Sequence, residues 1–278
     1  MSLEKNVAAH YTTDDLLDRI REGLRRAGAD PDRPGPEDLK GVDEFHTGGV
    51  LATDDLLDQL PIGPRTRVLD IGCGLGGTAR HIAARTGAQV IGVDLTPHFI
   101  EVGKELTRMV GLDDKVTLMR GSALDLPLVE DTVDVATMFH VGMNLPDKQK
   151  LFSEVNRVLA PGGIFALFDV MRAGGDGDLT FPFPWAETAE TSFVAPAMDY
   201  VEAGEEVGFI FKSIRNRGDF ALEFFREIAA RVEAAGGPPP LGLHLLMPDT
   251  ATEKQGNYVA CVKAELIAPF ELIFRKPV

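Results

Sequence analysis

The sequence predicts an α/β fold built on a doubly wound, mostly parallel sheet, and three observations predict it. First, apolar runs at 67–71, 90–94, 116–119, 133–139 and 164–170 alternate with helix-spaced segments at 76–86, 97–110 and 147–159. Strands joined through helices need right-handed crossovers, which put parallel strands in one sheet covered on both faces. Second, the first strand runs into a glycine-crowded turn, "VLDIGCGLGGTAR" at 68–80. In doubly wound sheets such turns stand at the carboxyl ends of the strands, where the ligand crevice lies. Third, 278 residues with 44% hydrophobic and 26% charged content suffice to bury one large sheet with appendages.

The elements follow in order. "TTDDLLDRIREGLRRAG" (12–28) offers Thr/Asp capping candidates and spaces Leu16, Leu17, Ile20 and Leu24 as a helix does. The Pro/Gly/Asp stretch 29–41 breaks it. A short helix over 50–60 is stopped by Pro61 and Gly63. Residues 1–60 therefore read as a helical lid or cap before a main domain at 61–278. After the fifth strand, the aromatic and proline-rich segment around 172–198 is too long for a plain connection and reads as a substrate-binding insertion. A helix (199–207), a strand in "GFIFKSIRN", helices at 219–235 and 249–266 and a final strand "PFELIFRK" complete the chain. The helical insertion spans 219–267.

Charge and cysteine usage exclude several classes. With 28 Lys and Arg against 43 Asp and Glu, the net charge of −15 opposes nucleic-acid binding and docking on an anionic membrane. Cys73 and Cys261 stand alone, without metal-ligand spacing, so neither a disulfide framework nor a metal site is expected. No signal peptide and no apolar run of about 18 residues is visible, which gives a cytoplasmic expectation. Either a monomer or a homodimer is compatible with the sequence.

Asp70 narrows the ligand. The turn matches G-x-G-x-x-G (Gly72, Gly74, Gly77) and also D-x-G-x-G-x-G, which adds Gly76. A carboxylate at the tip of a buried strand is costly unless its charge is satisfied. A dinucleotide would bring an anionic pyrophosphate to it, whereas S-adenosylmethionine brings a cationic ammonium and a cationic sulfonium. Its carboxylate can meet the glycine amides. Asp70 as a local helix cap is the alternative. Asp94, followed by Leu95 in "VIGVDLTP", can accept ribose hydroxyls from either cofactor.

Residues 60–170 resemble a class I S-adenosylmethionine-dependent methyltransferase through "VLDIGCGLGG", "GVDLTP", "GSALDLPL", "VDVATMFH" and "EVNRVLAPGGIFALFDV". The resemblance implies a Rossmann-like sheet with an antiparallel last strand and an N-terminal helical lid. It also implies that Asp70, Gly72, Gly74 and Gly76 hold the methionine end and that Asp94 and Leu95 hold the ribose. Ser122 and Ala123 would lie beside the adenine, with Ser122 where many relatives carry an acid. A finer resemblance is to the sarcosine/dimethylglycine and phosphoethanolamine N-methyltransferases and to tocopherol-type relatives. It rests on "DEFHTGGVLATDDLL", which would bring Thr47 and Gly48 to the cofactor, and on "LPDKQKLFSEVNRVLAPGG".

Methyl transfer from a sulfonium is an in-line displacement, so positioning and water exclusion carry much of it. A protonated nucleophile also needs a base. His140, at the end of the fourth strand, is the first candidate for that base and would pass the sulfonium; Tyr11 is a possible partner. His46 is either near the cofactor or a turn residue. Counting along the strand places Asn144 where the amine-methylating relatives have a histidine. Trp185 and Phe183 would wall the acceptor, or else plug into the core, and Arg172 would pair with a substrate carboxylate or be solvated. The leading expectation is a methyltransferase of a small molecule, with N-methylation of a small amine such as sarcosine or dimethylglycine against O- or C-methylation of a ring metabolite or natural product. An NAD-dependent oxidoreductase and a non-catalytic S-adenosylmethionine-binding protein are the readings from other classes.

Overall fold

A computed structural model describes residues 15–247 and 250–278. Its centre is a seven-stranded sheet, β1 (Arg67–Ile71), β2 (Gln89–Asp94), β3 (Val116–Arg120), β4 (Val133–Phe139), β5 (Leu159–Arg172), β6 (Ile210–Asn216) and β7 (Ile267–Arg275), ordered β3-β2-β1-β4-β5-β7-β6. Strands β1 to β5 pair in parallel, while β7 runs antiparallel between β5 and β6. The order reverses beside β1, so the tips of β1 and β4 flank the switch point at which such sheets bind ligands.

The helices of nine or more residues are α1 (Leu16–Arg26), α2 (Gly49–Leu57), α3 (Gly77–Thr86), α4 (Pro97–Met109), α5 (Lys148–Val158), α6 (Ala197–Glu206), α7 (Gly218–Ala235) and α8 (Ala251–Lys263). Their limits have local causes. Helix α3 starts after Gly76 and stops at Gly87, both with left-handed φ (80° and 74°). Asp147 caps α5 by accepting from the Lys150 amide at 2.8 Å.

One face of the sheet packs on α5 and α6 through Phe152, Phe165, Tyr200, Phe209 and Phe274. The other packs on α2 and α3 through Leu56, Val68, Ile82, Val90 and Phe168. Residues before β1 do not stand apart from this body. Leu16, Ile20, Leu24, Leu39 and Val42 are buried with Leu75, Phe99 and Leu106, and with Leu241 and Met247 from the segment after α7. The aromatic insertion joins α7 and α8 in a further cluster of Met143, Phe183, Trp185, Ala221, Tyr258 and Cys261.

Strand β5 is the main departure from the sequence expectation, beginning at Leu159 rather than residue 164. Val133 pairs with Leu159 and Val135 with Ile164, so a register shift absorbs "APGG", with Gly162 at φ 78°. A Pro-Gly-Gly run reads as a break in sequence, but an irregularity lets the strand continue through it.

Candidate active site

The strand tips, the segment 40–51, the insertion and helices α7 and α8 enclose one cavity of about 2260 Å³. Two chemically different ends make it up.

At the first end, Asp70 is 2% exposed. Thr137 donates to its Oδ1 at 3.2 Å and the Ala79 amide of α3 faces it, but buried Oδ2 has no partner among the described residues. Burial pushes the carboxyl up to about 7, and the nearby Asp94 adds to this. Asp94 accepts from the amides of Gly74 (2.9 Å) and Thr96 (2.8 Å) and is raised by burial. The glycine amides differ from expectation. Gly72 and Cys73 donate to Val93 O, Gly74 to Asp94 and Gly76 to Cys73 O, so these four are satisfied within the loop rather than presented to a ligand carboxylate. What the glycines provide is space. A Cβ on Gly72 would lie 2.2 Å from Val141, whereas the Gly74 α-carbon, at φ 54°, faces open cavity.

The segment before β1 folds over this end. Glu44, His46 and Thr47 all line the cavity. Thr53 and Thr78 donate to Glu44 Oε2 at 2.9 and 3.3 Å. Burial first, then the charges of Asp43 and Asp70, push Glu44 up to about 8. His46 Nε2 lies 3.1 Å from Gly49 O and 3.0 Å from Thr53 Oγ1. Because the Thr53 hydroxyl proton goes to Glu44, His46 carries its proton on Nε2. Burial holds its pKa down to about 4, so the ring is neutral. The segment is anchored by Arg80, 2% exposed, which pairs with Asp43 at 2.5 Å and donates to Leu75 O and Thr107 Oγ1 at 2.7 and 3.0 Å. A Cβ on Gly77 would strike Asp43 O at 2.0 Å, so that glycine is what lets the segment close on α3.

His140 stands between the two ends. Its backbone is left-handed (φ 54°), an uncommon state for a residue with a Cβ, and its amide donates to Phe168 O at 2.8 Å. The ring stacks on Phe168 (5.1 Å) and meets His46 edge-on (5.9 Å). Among the described residues Nε2 is buried without a partner, as is Oδ1 of Asn144, and both residues line the cavity. Burial and the neighbouring His46 hold His140 well below the ordinary histidine value. The turn carrying His140 and Asn144 is braced from below. Lys148 donates to Gly142 O and Phe193 O (2.9 and 3.0 Å), and Tyr200 donates to Asp169 at 2.8 Å beneath Gly142.

The second end is apolar, walled by Met143, Trp185, Leu222, Phe225, Val232 and Val259. Trp185 meets Tyr258 edge-on at 5.9 Å, and Tyr258 meets Phe225 at 5.6 Å. Thr47 donates to Tyr258 Oη at 3.0 Å, tying the segment over the first end to the wall of the second.

Of the residues expected from sequence, Asp70, Gly72, Gly74, Asp94, Leu95, Ser122, Ala123, Thr47, Gly48, His140, Asn144 and Trp185 lie on this cavity. Three lie elsewhere. Gly76 caps α3, packed against Leu118. Phe183 is fully buried behind Trp185, stacked on it at 4.5 Å, because an indole needs a flat apolar backing. Arg172 donates to Gly177 O at 3.1 Å, at the exposed root of the insertion, off the cavity lining. Tyr11 lies outside the described residues. Glu44, Tyr258 and Phe225 were missed. Glu44 lies within the stretch "DEFHTGG" from which the sequence reading assigned only Thr47 and Gly48 to the cofactor, whereas Tyr258 and Phe225 come from helices whose spacing marks an apolar face without saying what it faces.

Residues 69–167 match the family model described as a methyltransferase domain. The chain is 32% identical over 161 residues to Methyltransferase GfsG of Streptomyces halstedii, covering 58% of each. It thus spans under two thirds of that relative. In structure it is similar to phosphoethanolamine N-methyltransferase 2 of Haemonchus contortus, with TM-score 0.76, 20% identity, and coverage of all of this chain and 60% of that one. It is also similar to geranyl diphosphate C-methyltransferase of Streptomyces coelicolor A3(2), with TM-score 0.71, 18% identity, and coverage of 99% and 98%. An orphaned buried carboxylate oxygen and open space beside Gly74 suit a cofactor with a cationic tail. Asp70 would receive its ammonium, Asp94 its ribose, and Ser122 and Ala123 would border its adenine. Residues 69–167 therefore resemble a methyltransferase domain, and this end of the cavity fits S-adenosylmethionine.

Proposed function

We propose that this protein methylates an oxygen or carbon of a bulky, mostly apolar small molecule. The observation that carries the reading is the aromatic and aliphatic wall of Trp185, Tyr258, Phe225 and Leu222, which continues the cofactor end into an apolar chamber. A cavity of about 2260 Å³ exceeds the ~300–1,000 Å³ usual for one small ligand, so there is room for a sizeable acceptor beside the cofactor. A small zwitterion such as sarcosine would need a cation for its carboxylate; Arg172 is turned to Gly177, and of the cations that do line the cavity Lys40 and Arg226 are paired with Glu37 and Glu223 while Arg231 and Lys263 are exposed. This reading therefore departs from small-amine N-methylation in favour of the alternative.

When bound, S-adenosylmethionine supplies a methyl group on a cationic sulfur. His140, neutral because it is buried, can take a proton at Nε2 from an acceptor hydroxyl, and Asn144 Oδ1 can orient that hydroxyl by accepting from it. The apolar wall excludes water from the developing charge, and the bracing by Lys148 and Asp169 holds the turn in place.

A panel with radiolabelled methyl donor tests this. Label is expected in lipophilic phenols, quinols or isoprenoid alkenes. Labelling confined to sarcosine, dimethylglycine or phosphoethanolamine would end the reading.

A further inference from the structure

The wall of the cofactor end is more acidic than one motif carboxylate explains. Glu44, Asp70 and Asp94 all face it. Around Glu44 stand Asp43 and His46 from its own segment, Thr53 from α2, Asp70 from β1 and Thr78 from α3. The nearest strong cation, Arg80, is committed to Asp43. His81 is engaged with Asp54 at 2.7 Å, and neutral His46 contributes no charge. Asp70 Oδ2, on a residue 2% exposed, points to a cationic ligand because it lines the cavity with no hydrogen-bond partner among the described residues.

We propose that Glu44 is a second cofactor-binding carboxylate, which together with Asp70 receives the cationic amino-acid end of S-adenosylmethionine and surrenders a proton to solvent as that end arrives. The inference rests on the reading of this cavity end as the cofactor site. Before binding, two buried carboxyls on one cavity wall, with the charge of Asp70 opposing that of Glu44, cannot both ionise cheaply, and the pair holds a proton. An ammonium placed between them favours the doubly ionised state. With the groups near 8 and 7, the pair holds about one proton at pH 7.5. Charge balances because the proton leaves to buffer as one positive charge enters.

The test is isothermal titration calorimetry with S-adenosylhomocysteine, which keeps the ammonium and needs no turnover. Titrations at pH 7.5 in phosphate and in Tris, buffers of different ionisation enthalpy, count protons. Wild type should release about one proton per ligand, and Glu44→Gln should release less than half of that and bind about tenfold more weakly. Unchanged affinity and an unchanged count in Glu44→Gln would overturn the proposal. Should Glu44→Gln fail to fold, Asp70→Asn decides: a count of about half or more supports Glu44 as the releasing group, and a count of zero overturns it. Failure of wild type to bind the ligand would instead remove the cofactor assignment itself.

Discussion

Asp70 shows what a functional residue costs its own fold. Its Oδ1 is satisfied, its Oδ2 is not, and its charge is resisted by burial and by Asp94. Asp70→Asn keeps the shape and drops the charge. Calorimetry should show cofactor affinity falling by about tenfold or more, while the cofactor-free protein melts no lower than wild type. A lower melting point with intact affinity would make Asp70 a cap on α3 and no more. His140 is strained as well as buried. Asn tolerates left-handed backbone, so His140→Asn tests the imidazole without adding strain. On an acceptor that arrives protonated, kcat should fall about 10²-fold or more with KM little changed. An unaltered kcat would remove His140 as base.

Among the elements, the strands of the first half were legible because each is a short apolar run bounded by turn residues. Observed β1 and β4 coincide with the expected spans. Helix α8 is shorter than the predicted 249–266, ending at Lys263. Its role was illegible for a physical reason: Tyr258 and Val259 look the same in sequence whether they face a core or a chamber. The same applies to Trp185, which both seals and lines, leaving Phe183 as its backing. Trp185→Ala should raise the acceptor KM about tenfold and leave homocysteine-cofactor affinity unchanged, because the indole belongs to the apolar end. Equal loss of both affinities would mean that the wall is only structural. The Arg80–Asp43 pair was not foreseen either, since sequence does not reveal which of many arginines will be buried.

For the whole molecule, the acidic end sets a pH dependence. Glu44 and Asp70 are raised far above their unfolded values, so the native state holds protons that the unfolded chain releases, and their contribution to stability declines as pH rises through about 7 and 8. His46 works oppositely but only below about 6.5, where the unfolded chain takes up a proton and the native ring does not. Between pH 6.5 and 8.5 the acids therefore prevail, and unfolding free energy of the cofactor-free protein should drop by about 1–2 kcal/mol. Denaturant melts across that range would show it, and Glu44→Gln should flatten the slope. Net charge and composition indicated none of this, because Glu44 and Asp70 are two acids of 43 and are picked out only by where the backbone buries them.

Most of the chamber that would take the acceptor is built by α7, α8 and the insertion, all outside residues 69–167. Reprogramming is thereby separable by inheritance: transplanting the stretch after β5 from a related enzyme changes the guest molecule while the donor's berth is passed on untouched. Such a graft must preserve the Thr47–Tyr258 link, where the two lineages of parts touch across the void, together with the seat of Leu241 and Met247 on α1 and the pairing of β7 with β5.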